Sequence, residues 1–337
     1  MESLIFLMTA LQNNMKDKLG REIDYLRVSL TDNCNLRCIY CMEEKENTFL
    51  KSEEMLTDDE IYKIVLESSK LGIKKIRFTG GEPLLRKGIV EIIDKINKID
   101  EIEEIYLTTN GILLEDKLDQ LVKSGLTGVN ISLDSLREDR FRTLTRVGEL
   151  KKVLSAINKC LLLGINVKIN TVMIDGINND EISDFIKLTI EKPIDVRFIE
   201  LMPIGVGNRY KGIINKDILN IIKSKYDNFE EIKENKNGGP ANYIKISNSK
   251  GKVGFISAIS NCFCNQCNRI RITPEGFLKQ CLHFNYGVDL KKMLRSGASD
   301  EELIIAIKSS IYNKPEKHLF MKKSNNKELK SMNQIGG

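Results

Sequence analysis

The chain has 337 residues, 41% of them hydrophobic and 29% charged, with a formal net charge of +5, eight cysteines and no tryptophan. That composition reads as a soluble globular protein with room for one large domain and an appendage, or for two domains. It excludes a membrane span, since no stretch approaches ~18 apolar residues, and it argues against nucleic acid, because basic runs such as Lys322-Lys323 are short and no aromatic residues interleave them.

The stretch Leu4–Ala10 is apolar, but Glu2 precedes it, no Lys or Arg does, and no small-residue cleavage site follows. A signal peptide is therefore rejected, and residues 1–19 read as an amino-terminal extension with Met15 as an alternative start. Eight cysteines without an export signal point to the reducing cytoplasm, where thiols serve metals rather than disulfides. Six β-like segments then alternate with helical ones: Asp24–Thr31, Lys74–Thr79, Glu104–Thr109, Gly128–Leu133, Asn166–Met173 and Ile194–Leu201. All are rich in Val, Ile, Leu, Phe or Tyr, as strands covered on both faces are. Between them, Thr57-Asp-Asp-Glu60 is a capping box whose helix closes at Gly72. Leu114, Leu118, Leu121 and Val122 form a helical stripe ended by Gly125, and Cys160 falls on the apolar face of Leu150, Val153, Leu154, Ile157 and Leu161, a core position. This alternation predicts parallel βα units, and six of them give an α/β fold with a partial (β/α)6 TIM-like barrel over residues 20–214. Residues 215–337 read as a smaller α+β domain capping the open barrel, with a helix from Asn215, short strands near 241–247, 252–258 and 268–273, and terminal helices.

Unusual residues gather at the carboxyl ends of the strands, where βα barrels keep their active sites. Strand one leads into Thr31-Asp-Asn-Cys34-Asn-Leu-Arg-Cys38-Ile-Tyr-Cys41, a C-x3-C-x2-C loop. Three thiolates leave an iron–sulfur cube, which needs four ligands, with one iron open to a small molecule; zinc or a disulfide suits three ligands poorly. Gly80-Gly81-Glu82-Pro83 follows strand two, Thr108-Thr109-Asn110 ends strand three, Ser132 and Asp134 end strand four, and Met202 follows strand six. The glycine pair lets backbone approach a ligand closely, beside a carboxylate on a rigid turn. A second triad, Cys264, Cys267 and Cys281, has the spacing C-x2-C-x13-C; alone, it also fits zinc with His283 as fourth ligand. Cys262 is given no ligand role. Thr143, Arg146, Asp175 and Asn178-Asn179-Asp180 read as loop and cap chemistry, and His283 and His318 as surface residues. Arg27, Arg77 and Arg197 lie on barrel strands, while Arg269 and Arg271, two apart in a strand, face the same side. Buried cations need partners: carboxylates would serve, but so would a triphosphate, whose oxygens suit guanidinium forks.

With the aromatic Tyr40 before its last cysteine, the first triad resembles the hallmark of radical S-adenosylmethionine (SAM) enzymes. Adding the second triad and the terminal Gly336-Gly337, the chain from about Gly20 to its end resembles one family among them, the GTP 3′,8-cyclases, or molybdenum cofactor biosynthesis protein A. The resemblance implies a lyase that converts GTP to (8S)-3′,8-cyclo-7,8-dihydroguanosine 5′-triphosphate, the first step of molybdopterin biosynthesis. A 5′-deoxyadenosyl radical takes the hydrogen from C3′ of GTP, and C3′ then attacks C8. It further implies two [4Fe–4S] clusters, one on Cys34, Cys38 and Cys41 holding SAM, the other on Cys264, Cys267 and Cys281 holding guanine. Tyr40, Gly80, Gly81, Glu82, Ser132 and Met202 would line the SAM site. Arg27, Lys75, Arg77, Thr108, Lys168, Arg197, Arg269 and Arg271 would surround GTP; Arg27, Arg269, Arg271, Gly336 and Gly337 would act on the reaction itself, the tail reaching into the barrel. Implied partners are an electron donor such as flavodoxin or ferredoxin and, by product transfer, cyclic pyranopterin monophosphate synthase, with a homodimer as an option. Two rivals stand beside this: a radical SAM peptide maturase with an auxiliary cluster, and a non-enzymatic iron–sulfur redox protein. The first has little use for five convergent arginines, and the second leaves Gly80-Gly81-Glu82-Pro83 unexplained.

Overall fold

The computed structural model describes residues 16–46, 48–232, 239–320 and 328–337; the expectations for residues 1–15 lie outside them. Six βα units run in order: β1 (Tyr25–Ser29), α1 (Asp58–Ser69), β2 (Lys75–Thr79), α2 (Ile89–Ile96), β3 (Glu104–Thr109), α3 (Leu114–Lys123), β4 (Gly128–Ser132), α4 (Glu138–Thr145), α5 (Leu150–Leu162), β5 (Asn166–Thr171), α6 (Ile182–Glu191) and β6 (Asp195–Ile199). The strands pair in parallel, each with the next in sequence. Their apolar side chains, among them Leu26, Ile76, Phe78, Leu107, Val129, Ile169 and Phe198, are at most 1% exposed beneath the helices. Burial on both sides of the backbone explains the near-continuous apolar runs in the sequence. Thr57 caps α1 as its pattern requires, accepting from the Glu60 N–H while Glu60 accepts from the Thr57 N–H at 2.8 Å. Cys160 is fully buried in the core.

The carboxyl-terminal part is joined to the barrel through one continuous sheet. After α7 (Asn215–Lys225) come β7 (Phe229–Ile232), β8 (Asn242–Ile246), β9 (Val253–Ile256), β10 (Arg269–Ile272), β11 (Phe277–Lys279), β12 (Gly287–Asp289), α8 (Leu290–Arg295) and α9 (Asp300–Tyr312). All seven-to-twelve strands join the barrel sheet, whose order is β12-β11-β10-β1-β2-β3-β4-β5-β6-β9-β8-β7. β10 lies parallel to β1 and β9 parallel to β6. Eight parallel strands thus curve around one interior, flanked by antiparallel hairpins at both edges. The second triad flanks the β10–β11 hairpin, Cys264 and Cys267 just before β10 and Cys281 just after β11, and its cysteines line the same cavity as the first triad, together with Arg269 and Arg271 of β10.

Candidate active site

Register alignment turns scattered residues into layers. Arg269, Tyr25, Lys75 and Glu104 are Cα partners across β10, β1, β2 and β3, and two residues further on Arg271, Arg27, Arg77 and Tyr106 form the next row. On the opposite wall, Thr108, Asn130 and Lys168 align, as do Ser132 and Asn170 one layer up, with Asn170 opposite Arg197. Because strand side chains alternate, each row points inward together. They line one cavity of about 480 Å³ that also takes in all six triad cysteines, Tyr40, Gly80, Gly81, Met202 and Gly337.

The first triad sits on a loop that is braced from outside. Cys41 donates its N–H to the Cys38 carbonyl at 2.9 Å, and the Arg37 and Ile39 N–H groups bond to Thr145 and Leu144 at the end of α4. Arg146, read in the sequence as loop chemistry, clamps both ends of the loop: with φ +66° it donates to the carbonyls of Arg37 and Met42 at 2.9 and 3.2 Å. Burial pushes the Cys34 thiol up to about 11 and Cys41 to about 12, with Cys38 also well above its ordinary value. Bare thiols here hold their protons, and a bound cation is what would ionise them. Tyr40 donates to Asp134 at 2.6 Å, and Asp134 also accepts from the Val172 N–H at 2.8 Å.

One expectation for the Gly80–Pro83 turn needs correction, that for Glu82; Gly80 and Gly81 do line the cavity. A Cβ on Gly80 would meet the Thr31 carbonyl oxygen at 2.5 Å, and one on Gly81 the Asn33 carbonyl oxygen at 2.2 Å. The glycines are therefore demanded by packing against the cysteine loop, to which the Gly81 and Glu82 N–H groups also bond. Glu82 does not line the cavity. Its buried carboxylate turns back to accept from Thr109 Oγ1 (2.7 Å), the Asn110 N–H (2.8 Å) and the Leu84 N–H (3.1 Å). Asn110, which the sequence reading left without a role, donates to Cys34 Sγ at 3.7 Å and to Asn35 at 2.8 Å. The Glu82 carboxylate thus reaches the cysteine loop only through its neighbours, while its main-chain N–H bonds the loop directly.

The other half of the cavity is strongly basic. Five arginines and three lysines line it against two side-chain carboxylates. Both carboxylates are occupied, Glu104 by Lys75 at 2.6 Å and Asp134 by Tyr40. Lys75 and Lys168 point inward rather than to the surface, Lys168 lying 5.9 Å from the Tyr243 ring. Arg77 stacks between Tyr25 and Tyr106, 5.5 and 4.9 Å from their centroids. Burial and the neighbouring Arg271 hold Arg27 well below its ordinary value, while burial and Arg269 bring Arg271 to about 10. Arg27 Nε, Arg197 Nε, Arg269 Nε, Asn130 Oδ1, Asn170 Oδ1 and Gln280 Oε1 are buried with no hydrogen-bond partner. Crowded guanidinium groups that keep unsatisfied buried Nε atoms are a setting that a bound polyanion would relieve.

The second triad closes the cavity from the β10 side. Desolvation alone would raise Cys267, but Lys314 and Arg269 bring it to about 6. Arg21 ties the site down, donating to the Cys264 carbonyl at 2.6 Å and the Pro315 carbonyl at 2.7 Å while paired with Asp17. His283 and His318 are not surface residues. His283 is 3% exposed, both line the cavity, and both rings pack on Phe320 with centroids 4.7 and 4.5 Å away. The carboxyl terminus is ordered against this layer: Arg271 donates to the Gly336 carbonyl at 3.3 Å, and Arg27 to the main-chain oxygen of Gly337. Asn333 Nδ2 donates to the Asp32 carbonyl at 3.0 Å.

Comparison with known proteins places these features. Residues 28–189 match the model of the Radical SAM superfamily, and residues 194–320 that of Molybdenum Cofactor Synthesis C. The chain is 58% identical over 323 residues to a GTP 3′,8-cyclase of Clostridium perfringens (strain 13 / Type A), covering 96% of this chain and 100% of the relative. To one of Clostridium botulinum (strain Langeland / NCTC 10281 / Type F) it is 48% identical over 326 residues, with the same coverage. Among solved structures, Streptococcus suis SuiB bound to S-adenosylmethionine matches with a TM-score of 0.62 at 13% identity, over 93% of this chain and 69% of that one, a likeness of fold. No described helix is long and apolar enough to cross a membrane. Radical SAM membership implies a [4Fe–4S] cluster and SAM, and the donor chemistry of the Cys34, Cys38 and Cys41 loop fits them. The chain belongs to the radical SAM superfamily and, within it, to the GTP 3′,8-cyclase family.

Proposed function

We propose that this chain converts GTP to (8S)-3′,8-cyclo-7,8-dihydroguanosine 5′-triphosphate, the opening step of molybdopterin biosynthesis. One observation carries the reading: a single cavity holds two cysteine triads with a layer of five arginines beside them, three of which keep a buried Nε without a partner. Residues 20–214 supply the barrel and residues 215–337 the second triad and the tail. Cys34, Cys38 and Cys41 hold one [4Fe–4S] cluster, and Cys264, Cys267 and Cys281 a second. Neither triad is gathered tightly enough for one ion, since among the described residues no three of these six donors lie within 4.8 Å of one another; a cube, being larger, takes ligands spread wider. When bound, the cluster and SAM supply one-electron chemistry that generates a carbon radical.

The chain's own part is binding, orientation and exclusion of water. Tyr40, Gly80, Gly81, Ser132 and Met202 shape the SAM site, with Glu82 bracing the loop behind it. Arg27, Arg77, Arg197, Arg269 and Arg271, with Lys75, Thr108 and Lys168, receive the triphosphate and ribose. Gly336 and Gly337 close the layer beside Arg27 and Arg271, keeping the radical's path dry and short. An electron donor such as flavodoxin or ferredoxin, product transfer to cyclic pyranopterin monophosphate synthase and a cytoplasmic setting complete the reading, with a homodimer as an option. The rival peptide maturase gives no reason for eight cations around two occupied carboxylates, and the rival redox carrier none for a 480 Å³ cavity. The test is anaerobic reconstitution followed by reduction with SAM, with and without GTP. The reading expects 5′-deoxyadenosine formation to rise with GTP and a cyclised nucleotide to appear in step; 5′-deoxyadenosine without a GTP-derived product would overturn it.

A further inference from the structure

Beside the second triad, and sharing Cys264 with it, one group of donors has the dimensions of a single-ion site. Among the described residues, the one set of three His, Cys, Asp or Glu donors lying within 4.8 Å of one another is Cys262, Cys264 and His318. A tetrahedral zinc ion with Zn–S bonds of ~2.3 Å needs donors roughly 3.8 Å apart, so a shift of about 1 Å suffices. The set is also built. Cys262 and Cys264 lie two residues apart, and Arg21 donates to both the Cys264 carbonyl at 2.6 Å and the Glu316 carbonyl at 3.1 Å, fixing the two segments together. The imidazole is steered by its surroundings: Nδ1 accepts from the Phe320 N–H at 3.5 Å, and the ring packs on Phe320. Such outer contacts are what orient metal-binding histidines. Cys262 is exposed, which leaves entry from solvent and a fourth position for water.

We propose that Cys262, Cys264 and His318 form a site for a single thiophilic divalent cation of the zinc type, which competes with the second cluster for Cys264. Two thiolates, one imidazole and a water satisfy such an ion, with the thiol protons released to solvent on binding. The competition rests on the reading that Cys264, Cys267 and Cys281 carry a cluster; the cation site itself does not. A thiolate committed to the ion is withdrawn from the cube, so loading by zinc blocks assembly of the second cluster while sparing the first.

Cobalt(II) serves as a visible probe of thiolate ligation. Full-length metal-free protein is titrated anaerobically as wild type, Cys262→Ser, His318→Ala and the double variant Cys267→Ser/Cys281→Ser, so that the first triad contributes equally throughout. Sulfur-to-cobalt absorption from this site should persist in the double variant and weaken at least about 10-fold in each of the other two. Unchanged titrations in Cys262→Ser and His318→Ala, or loss of the site only in the double variant, would overturn the proposal. In a second arm, zinc is added before iron–sulfur reconstitution: wild type should fall from about eight irons to about four, whereas Cys262→Ser should keep about eight. Equal iron in both would overturn the competition. If wild type reaches only about four irons without zinc, the second-cluster reading fails, and the cobalt titration still decides the cation site.

Discussion

Gly336 is the position where a single methyl group has the largest consequence for the tail. Its φ is +70°, and a Cβ there would lie 2.6 Å from Thr79 Oγ1 and 2.8 Å from Ser29 Cβ. The left-handed backbone costs an L-residue ~1–2 kcal/mol, and forcing a methyl into a packed wall costs a further ~1–3 kcal/mol. Gly336→Ala should therefore penalise the docked tail by about 2–5 kcal/mol, a shift of roughly 30- to 4,000-fold toward release. Opposing this, the Arg27 and Arg271 hydrogen bonds to the tail are charge-assisted and worth ~1.5–3 kcal/mol each. Penalty and hold are comparable, so the tail should spend a large part of its time undocked. Hydrogen exchange of the peptide 328–337 reads this directly and should be at least about 10-fold faster in the variant. In the reconstituted enzyme, 5′-deoxyadenosine should still form while cyclised product falls steeply, and removal of Gly336 and Gly337 should do the same. Unaltered protection together with full cyclisation would refute the reasoning.

Three further outcomes are expected. Anaerobically reconstituted wild type should carry about eight irons, dropping to about four when either Cys34, Cys38 and Cys41 or Cys264, Cys267 and Cys281 are all changed to Ala; no drop with the second set would remove the second cluster. Arg269→Ala and Arg271→Ala should each weaken GTP binding about 10- to 100-fold with iron content unchanged, and unaltered affinity in both would make these arginines structural. Burial raises Glu82 from 4.5 to about 7, so its protonated form favours the folded state: that contribution is complete below pH 4.5 and is lost as pH rises through 7. Denaturant titrations of metal-free protein should show Glu82→Gln gaining on wild type over that window, by on the order of 3 kcal/mol, and parallel pH profiles would show that Glu82 is not held protonated.

The barrel was legible because burial on both faces writes long apolar runs, and β1 to β6 fall within the segments the sequence marks. The edges were not. Pairing of Arg27 with Arg271 or Arg197 with Gly254 joins strands far apart in the chain, and strands of four residues carry no signal of their partner. Triad spacing and the two-residue step from Arg269 to Arg271 needed only local pattern, so the main chemistry could be read early. Side-chain direction could not: Glu82 turns to Thr109 and Asn110 on the next strand, a relation visible only once β2 and β3 are side by side. Arg146 clamps the cysteine loop through a left-handed backbone that nothing in its neighbours announces. The cavity-lining histidines did leave a trace, since His283-Phe284 and His318-Leu-Phe320 each pair imidazole with a nearby aromatic ring.

Hydrogen transfer from substrate tests the central claim most directly. With GTP deuterated at C3′, reduced and reconstituted enzyme should yield 5′-deoxyadenosine one mass unit heavier, in step with cyclised product. Unlabelled 5′-deoxyadenosine with the nucleotide recovered intact would contradict a cavity built to bring GTP to the radical.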